Sequence, residues 1–398
     1  MNGAHVKEIA SQVADILDET KIPYHFEGEA SAILQGVTFS KYINTILISV
    51  QWDVMDTLYE RFQTFSPSLL MRNHLETSFH FYLSDVYIEV KAKQNTTIRT
   101  NPYRISVSWN NQKLWCISIY AYIYDIQTNE ELKKSIHEYL YKKQGTLNQD
   151  NKLAWNQNQY EALIKRYGQP KERAEKIKKN PEWMLHPFFK YFGDVKGKKI
   201  AHLLGSNGIK ATALSLLGAK VTVIDFSKEN EQYANEVSKA CDTRIQYINE
   251  DVLSIGDNLN GTFDTVFMEL GVLHYFLDLH LLFQVVHQLL NDDGIFILHE
   301  FHPISTKLIT SKGKKHKADG NYFNPSIVES EVAFAKLFDE KDKEQLSKVF
   351  HRKWTIGEVI TALANKHLYV QWMEEEPNHK IDDIGLPKTV TILARKMK

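Results

Sequence analysis

The chain has 398 residues, 43% of them hydrophobic and 24% charged, with 48 Lys and Arg against 49 Asp and Glu. That length exceeds what one hydrophobic core supports, so two or three domains are expected. The ordinary composition excludes a disordered, collagen-like or coiled-coil chain, and the net charge of -1 excludes a nucleic-acid binder that works by bulk charge.

Helical periodicity opens the chain over about 4–20, where Val6, Ile9, Val13, Ile16 and Leu17 share one face, and returns over about 129–143. Short alternating strands fill the interval. In Tyr103–Asp125, Ile105, Val107 and Trp109 alternate with Ser106 and Ser108, Asn110-Asn111 suit a tight turn, and Leu114 to Tyr122 resumes the alternation, which predicts a β-hairpin. The polar stretch Gly145 to Lys152 reads as a linker. The expected organisation is an α+β accessory domain over 1–145, linker and lid helices over 146–198, and a third segment over 199–398.

From Lys199 the rhythm changes to strand, glycine turn, helix, strand, repeated through GIFILHEF. That is the pattern of a parallel, doubly wound α/β sheet. After His302 about fifty residues rich in Lys, Asp and Glu interrupt it, and the chain closes as helix, strand, strand, the last two forming an antiparallel pair on the sheet edge.

The segment KKIAHLLGSNG places a tight turn after a strand and opens a helix, and Asp225 follows about twenty residues on at the end of the next strand. Gly205 and Gly208 suit close approach of backbone to a ligand, and Asp225 can accept hydrogen bonds from both hydroxyls of a ribose. The same strand, turn and acid could serve a nicotinamide dinucleotide, but the turn lacks the third glycine that pyrophosphate binding uses.

Five segments in order resemble the class I S-adenosylmethionine-dependent methyltransferases, over roughly residues 150–398. LLGSNG (Gly205, Ser206, Asn207, Gly208) is similar to the first motif, DFS (Asp225, Phe226, Ser227) to the ribose-binding motif, and NEDVLSI (Asp251, Val252) to the motif beside the adenine amino group. FDTVFMELGVLHYF (Glu269, Leu270, Gly271) resembles the fourth motif, and HEFHPIS ends the fifth strand as in bacterial members of a small-molecule subgroup. The resemblance implies a Rossmann-like sheet with an antiparallel last strand, S-adenosylmethionine as cofactor, and no metal.

Two departures stand out. Family members usually carry an acid where this chain has Leu203, so the cofactor's ammonium needs another partner, for which Glu269 is a candidate. Asn207 replaces a glycine and is expected to preserve the turn in a left-handed conformation.

Methyl transfer from a sulfonium requires alignment and exclusion of water more than acid-base groups. If the acceptor must lose a proton, His274 or His302 would serve as base, with Tyr275 and Phe276 walling the pocket. By the resemblance, Trp155 and Tyr160 belong to a lid helix whose aromatic faces would cover the sulfonium, and Tyr322 and Phe323 to a pair over the acceptor. KGKKHK at Lys312–Lys317 reads as a solvated loop that could touch phosphates.

Residues 4–145, through FEGEASAILQG and INTILISVQWD, look like the nucleotidyltransferase fold. The metal-binding acids of active members fall on Asn44 and Ile46, and Glu89 alone could stand for a third, so the resemblance implies a non-catalytic module.

The expected function is methylation of a small molecule. The alternatives are an RNA or protein methyltransferase, with the N-terminal domain holding the polymer, and a non-catalytic cofactor sensor. Cys116 and Cys241 lack metal or redox spacing, no apolar run suits a membrane helix, and the first residues lack signal-peptide order. A cytoplasmic protein with no membrane partner and no nucleic-acid partner is expected.

Overall fold

A computed structural model describes residues 3–312, 315–377 and 385–397. They fall into two compact units, one of residues 3–140 with Phe323–Pro325, the other of 141–322 with 326–397.

The first unit opens with helix α1 (Gly3–Glu19), whose buried Val6, Ile9, Val13 and Leu17 recur at helical spacing. Strand β1 (Tyr24–Glu27), helix α2 (Gly28–Leu34), strand β2 (Thr45–Val50), helix α3 (Met55–Arg61) and strands β3 (Met71–Arg72), β4 (Glu76–Leu83), β5 (Val86–Lys93), β6 (Arg104–Trp109) and β7 (Gln112–Ile117) follow. The strands form a sheet of order β3-β4-β5-β2-β1-β7-β6, mixed parallel and antiparallel. The predicted hairpin is β6–β7, turned by Asn110 and Asn111, both at positive φ. Its second strand stops at Ile117, and a 3-10 turn takes Ile119–Ala121 in place of the expected alternation.

Helix α4 (Glu130–Trp155) carries straight through the expected linker. Gly145 is exposed in it, and a side chain there would meet nothing within 4 Å, so that glycine marks no turn. Polar residues in and just before the expected linker are instead spent on tertiary hydrogen bonds in the second unit. Gln144 donates to the Tyr275 carbonyl at 2.9 Å and accepts from the Leu277 N–H at 2.6 Å, and Asn151 pairs with the backbone of Phe350.

The second unit continues with helices α5 (Gln159–Tyr167) and α6 (Pro170–Lys179), then strand β8 (Lys199–Leu203), helix α7 (Ile209–Leu216), strand β9 (Lys220–Ile224), helix α8 (Lys228–Ala240), and strands β10 (Gln246–Ile248) and β11 (Phe263–Glu269). Helix α9 (Leu279–Leu289) leads to strand β12 (Leu290–Phe301). The fifty-residue interruption holds two ribbons, β13 (Ile309–Lys312) with β14 (Lys315–Ala318) and β15 (Ile327–Glu331) with β16 (Lys348–Arg352), and short helix α10 (Glu340–Lys343). Gly313 and Lys314 of the basic run lie outside the described residues. Helix α11 (Ile356–Ala364) and strands β17 (Leu368–Pro377) and β18 (Pro387–Lys396) close the unit.

The main sheet has the order β10-β9-β8-β11-β12-β18-β17. Its first five strands are parallel, and β18 runs antiparallel to both β12 and β17, as the sequence predicts for a Rossmann-like methyltransferase sheet. The chain leaves β8 first toward β9 and β10 and then returns to β11 on β8's other side. That reversal opens a crevice at the carboxyl ends of β8 and β11, where ligands bind in such sheets.

Candidate functional site at the carboxyl edge of the second sheet

The turn after β8 holds Leu204, Ser206 and Gly208 at positive φ. Asn207 is not among them, contrary to expectation. Its Oδ1 accepts the Ile209 N–H at 3.0 Å and so caps the start of α7 with its side chain, while Ser206 takes the left-handed conformation.

The two glycines also differ from the expectation. A Cβ at Gly205 would lie 2.7 Å from His202 Nδ1 and 2.9 Å from Val223, and one at Gly208 would lie 2.5 Å from the Ala234 Cβ. The space each glycine leaves is therefore filled by the protein's own atoms. Close packing of turn and helix, rather than room for a ligand, demands glycine here.

Three carboxylates line the strand ends. Asp225, after β9, accepts the Ser206 N–H at 3.1 Å on one oxygen and the Ser227 N–H at 2.9 Å on the other. Burial raises its pKa, opposed by those backbone donors and by Asn230. An ionised carboxylate has about four acceptor positions, so with three donors already on it Asp225 keeps capacity for about one more. Asp251, after β10, accepts the Leu253 N–H at 3.0 Å and a hydrogen bond from Asn148 of α4. Val252 is buried beside it.

Glu269, at the end of β11, forms a 2.6 Å ion pair with Lys210 in the first turn of α7. Burial raises the Glu269 pKa and Lys210 opposes that rise. Beneath the pair, His202 is stacked on Phe267 at 4.7 Å, and neither ring nitrogen has a hydrogen-bond partner. Burial pushes its pKa down to about 3, which keeps the ring neutral.

The loop after β11 turns through Leu270 and Gly271, both at positive φ. Glu300, on β12 and only 8% exposed, accepts four backbone N–H groups, those of Gly271, Val272, Leu273 and Phe301, at 2.5–3.1 Å. This carboxylate fixes the segment that carries His274, Tyr275 and Phe276. The sequence reading passed over Glu300, Lys210 and Asn148. The spacing of Gln144 and Asn148 on one helical face was the available signal for the last.

His274 lies 5.2 Å from His351, ring to ring. Burial, His351 and Lys353 together depress its pKa to about 3, so the imidazole is neutral but a weaker base than the near-neutral group expected. His302 has both nitrogens engaged. Nδ1 accepts the Ile304 N–H at 3.1 Å, which places the proton of the neutral ring on Nε2, 2.7 Å from Glu375. That ring pins a turn and is not free to take a substrate proton.

Trp155 packs edge-on against Tyr275 and Phe334, at 6.1 and 5.6 Å, and its carbonyl accepts from Ser227. Tyr160 goes elsewhere, its ring against Tyr233 and its hydroxyl donating to Glu236 at 2.6 Å, so it covers α8 rather than the crevice. Phe226 is half-buried and Phe276 buried. Tyr322 accepts the Ile356 N–H at 3.1 Å, whereas Phe323 groups with the first unit, 6.4 Å from Tyr103.

In the first unit Ile46 is fully buried in the core, and Asn44 precedes β2. Glu89 is half-buried on β5. Among the described residues no group of three His, Cys, Asp or Glu side chains could hold a metal ion, and no helix is long and apolar enough to cross a membrane.

Residues 203–298 match the family model described as a methyltransferase domain. No curated protein matches the sequence. Among solved structures the chain is similar to a candidate S-adenosylmethionine-dependent methyltransferase from Listeria monocytogenes, with 23% identity, 55% of this chain and 99% of that one covered, and a TM-score of 0.45. It is also similar to an S-adenosylmethionine-dependent methyltransferase from Mesorhizobium loti, with 22% identity, 54% and 98% covered, and a TM-score of 0.43.

The matched residues contain Asp225, Asp251, Glu269 and Lys210. The second unit therefore carries a methyltransferase domain whose cofactor is S-adenosylmethionine, and the chain is an enzyme of that class.

Proposed function

We propose that the enzyme methylates a small-molecule acceptor, with Asp225 holding the ribose, Asp251 the adenine amino group, and the Glu269–Lys210 pair the amino-acid end of the cofactor. The observation that carries this reading is the row of three carboxylates on successive strand ends beside the capped turn, all inside the matched residues. The bound cofactor supplies an electrophilic methyl group on sulfur. Gly205, Ser206, Asn207 and Gly208 shape the turn over which it lies, and Phe226, Ser227, Val252, Leu270 and Gly271 form the adjoining walls. With Leu203 in the usual acid position, Glu269 provides the negative charge for the ammonium.

His274 stands next in the chain to Tyr275 and Phe276, on the segment that Glu300 anchors. It is our candidate for receiving an acceptor proton, with Trp155 and Tyr275 excluding water. Balanced charge and a largely apolar pocket favour a small acceptor over a polymer. The first unit is a non-catalytic module in this reading, because Asn44 and Ile46 supply no metal ligand.

Calorimetry with two ligands tests the cofactor site. S-adenosylhomocysteine should bind the wild type, and Lys210→Gln should weaken it at least tenfold. Methylthioadenosine, which lacks the amino-acid end, should bind both proteins alike. Equal loss of both ligands, or of neither, would remove the Glu269–Lys210 pair from the site.

A further inference from the structure

Side chains alternate along β12, so Leu298 and Glu300 face away from His299 and Glu269. On that second face a pocket opens between the sheet and α11. Its walls are mostly apolar, with Leu298, Ile392, Val359 and Trp354 among them, and His274 and Phe301 also line it. Gly271 lies beside these last two, since a Cβ there would meet Phe301 at 3.4 Å and His274 at 3.5 Å. The pocket thus adjoins the loop that ends the cofactor crevice.

Two charged side chains line it, the buried Glu300 and the exposed Lys353. Lys353 lines the pocket and donates one hydrogen bond, at 2.7 Å, to the Thr306 carbonyl, leaving two donors unspent. No carboxylate of the described residues forms an ion pair with it. Glu358 is committed to Arg352 at 2.6 Å, and the Glu300 oxygens are occupied by four backbone donors.

We propose that this pocket is the acceptor site and that it takes an organic anion, its apolar body against Leu298, Ile392, Val359 and Trp354 and its anionic oxygens at the Lys353 ammonium. The proposal rests on the reading of the enzyme as a small-molecule methyltransferase. It also gives His274 a use: an anion beside Lys353 offsets one of the charges that depress the imidazole, so the base strengthens when the acceptor is seated.

The test uses the full chain, saturated with S-adenosylhomocysteine, and three probes with one carbon skeleton: 3-phenylpropanoate, 3-phenylpropan-1-ol and 3-phenylpropylamine. Calorimetry should show the carboxylate binding at least tenfold more tightly than the alcohol, with the amine weakest. Lys353→Gln, a change at an exposed side chain, should bring the carboxylate to within twofold of the alcohol and leave the alcohol unchanged. Ile356→Trp, which fills the pocket, should weaken the carboxylate and the alcohol together. Binding of none of the probes, tightest binding of the amine, or a carboxylate affinity indifferent to Lys353 would each overturn the proposal. Failure of S-adenosylhomocysteine to bind while the carboxylate still binds through Lys353 would instead overturn the methyltransferase reading and leave the anion pocket standing.

Discussion

The carboxylate of Glu300 accepts the backbone N–H of Val272 at 2.9 Å, across the gap between the ends of β12 and β11. Its other oxygen takes Gly271, so one buried side chain sets the path of the loop on which His274 stands. Glu300→Gln keeps the shape but turns an NH2 donor toward backbone donors. Leaving such groups unpaired costs about 1–3 kcal/mol, so urea unfolding should show a loss of that size. Methyl transfer should fall by more than tenfold at saturating cofactor, a drop that lost stability alone would not produce in a sample verified as folded.

Asp225→Ala removes the remaining acceptor position from the ribose. A hydrogen bond to a charged group is worth about 1.5–3 kcal/mol, so affinity for S-adenosylhomocysteine should fall by about tenfold to a hundredfold. Methylthioadenosine should lose as much, because it carries the same ribose. Calorimetry within twofold of wild type for either ligand would exclude Asp225 from ribose binding.

Gly208→Ala probes the packing of the turn. The residue sits at φ +66 and its new methyl would lie 2.5 Å from the Ala234 Cβ, so both backbone strain and overlap oppose it. A loss of about 2 kcal/mol is expected in denaturant unfolding, and the double variant with Ala234→Gly should recover part of it. Full stability in the single variant would contradict the packing described.

His202→Phe should make the protein less sensitive to acid. The folded-state pKa is depressed to about 3 from 6.5, so between these values the unfolded chain binds a proton that the native state does not. Stability contributed by the neutral ring is therefore present above pH 6.5 and lost as pH falls toward 3, at up to about 1.4 kcal/mol for each pH unit. Phenylalanine keeps the stacking on Phe267 and does not titrate. Unfolding free energies at pH 7 and pH 5 should differ less in the variant than in the wild type, and equal differences would refute the account.

Total RNA should bind no more tightly than the non-specific range, about 10⁻⁴ to 10⁻⁶ M at physiological salt. Replacing Lys312, Lys314, Lys315 and Lys317 by Gln should leave methyl transfer nearly unchanged. Nanomolar RNA affinity that collapses in this variant, read by gel shift, would point to a polymer acceptor.

The local signals in the sequence determined the main sheet of the second unit almost strand by strand, but not the two ribbons β13–β14 and β15–β16. Apolar runs broken by Gly205 and Gly208 at the turn and by Asp225 at a strand end can be satisfied by few structures other than a parallel sheet with helices between, since each strand must be buried on both faces. The antiparallel closing pair and the position of Asp225 followed from the same rhythm, and those of Asp251 and Glu269 from the family resemblance. Tertiary structure alone decided what the polar residues do. Asn148 and Asn151 read as linker because polarity in a window does not say which partners will arrive from about 100 or 200 residues away, yet the segment is a helix whose polar residues meet those partners. Nothing local marks Glu300, on which four N–H groups converge, and His302 looked like a free base until Ile304 and Glu375 took both its nitrogens. The glycines were correctly singled out, but what required them was the proximity of His202, Val223 and Ala234, a contact between distant chain segments that no local pattern encodes.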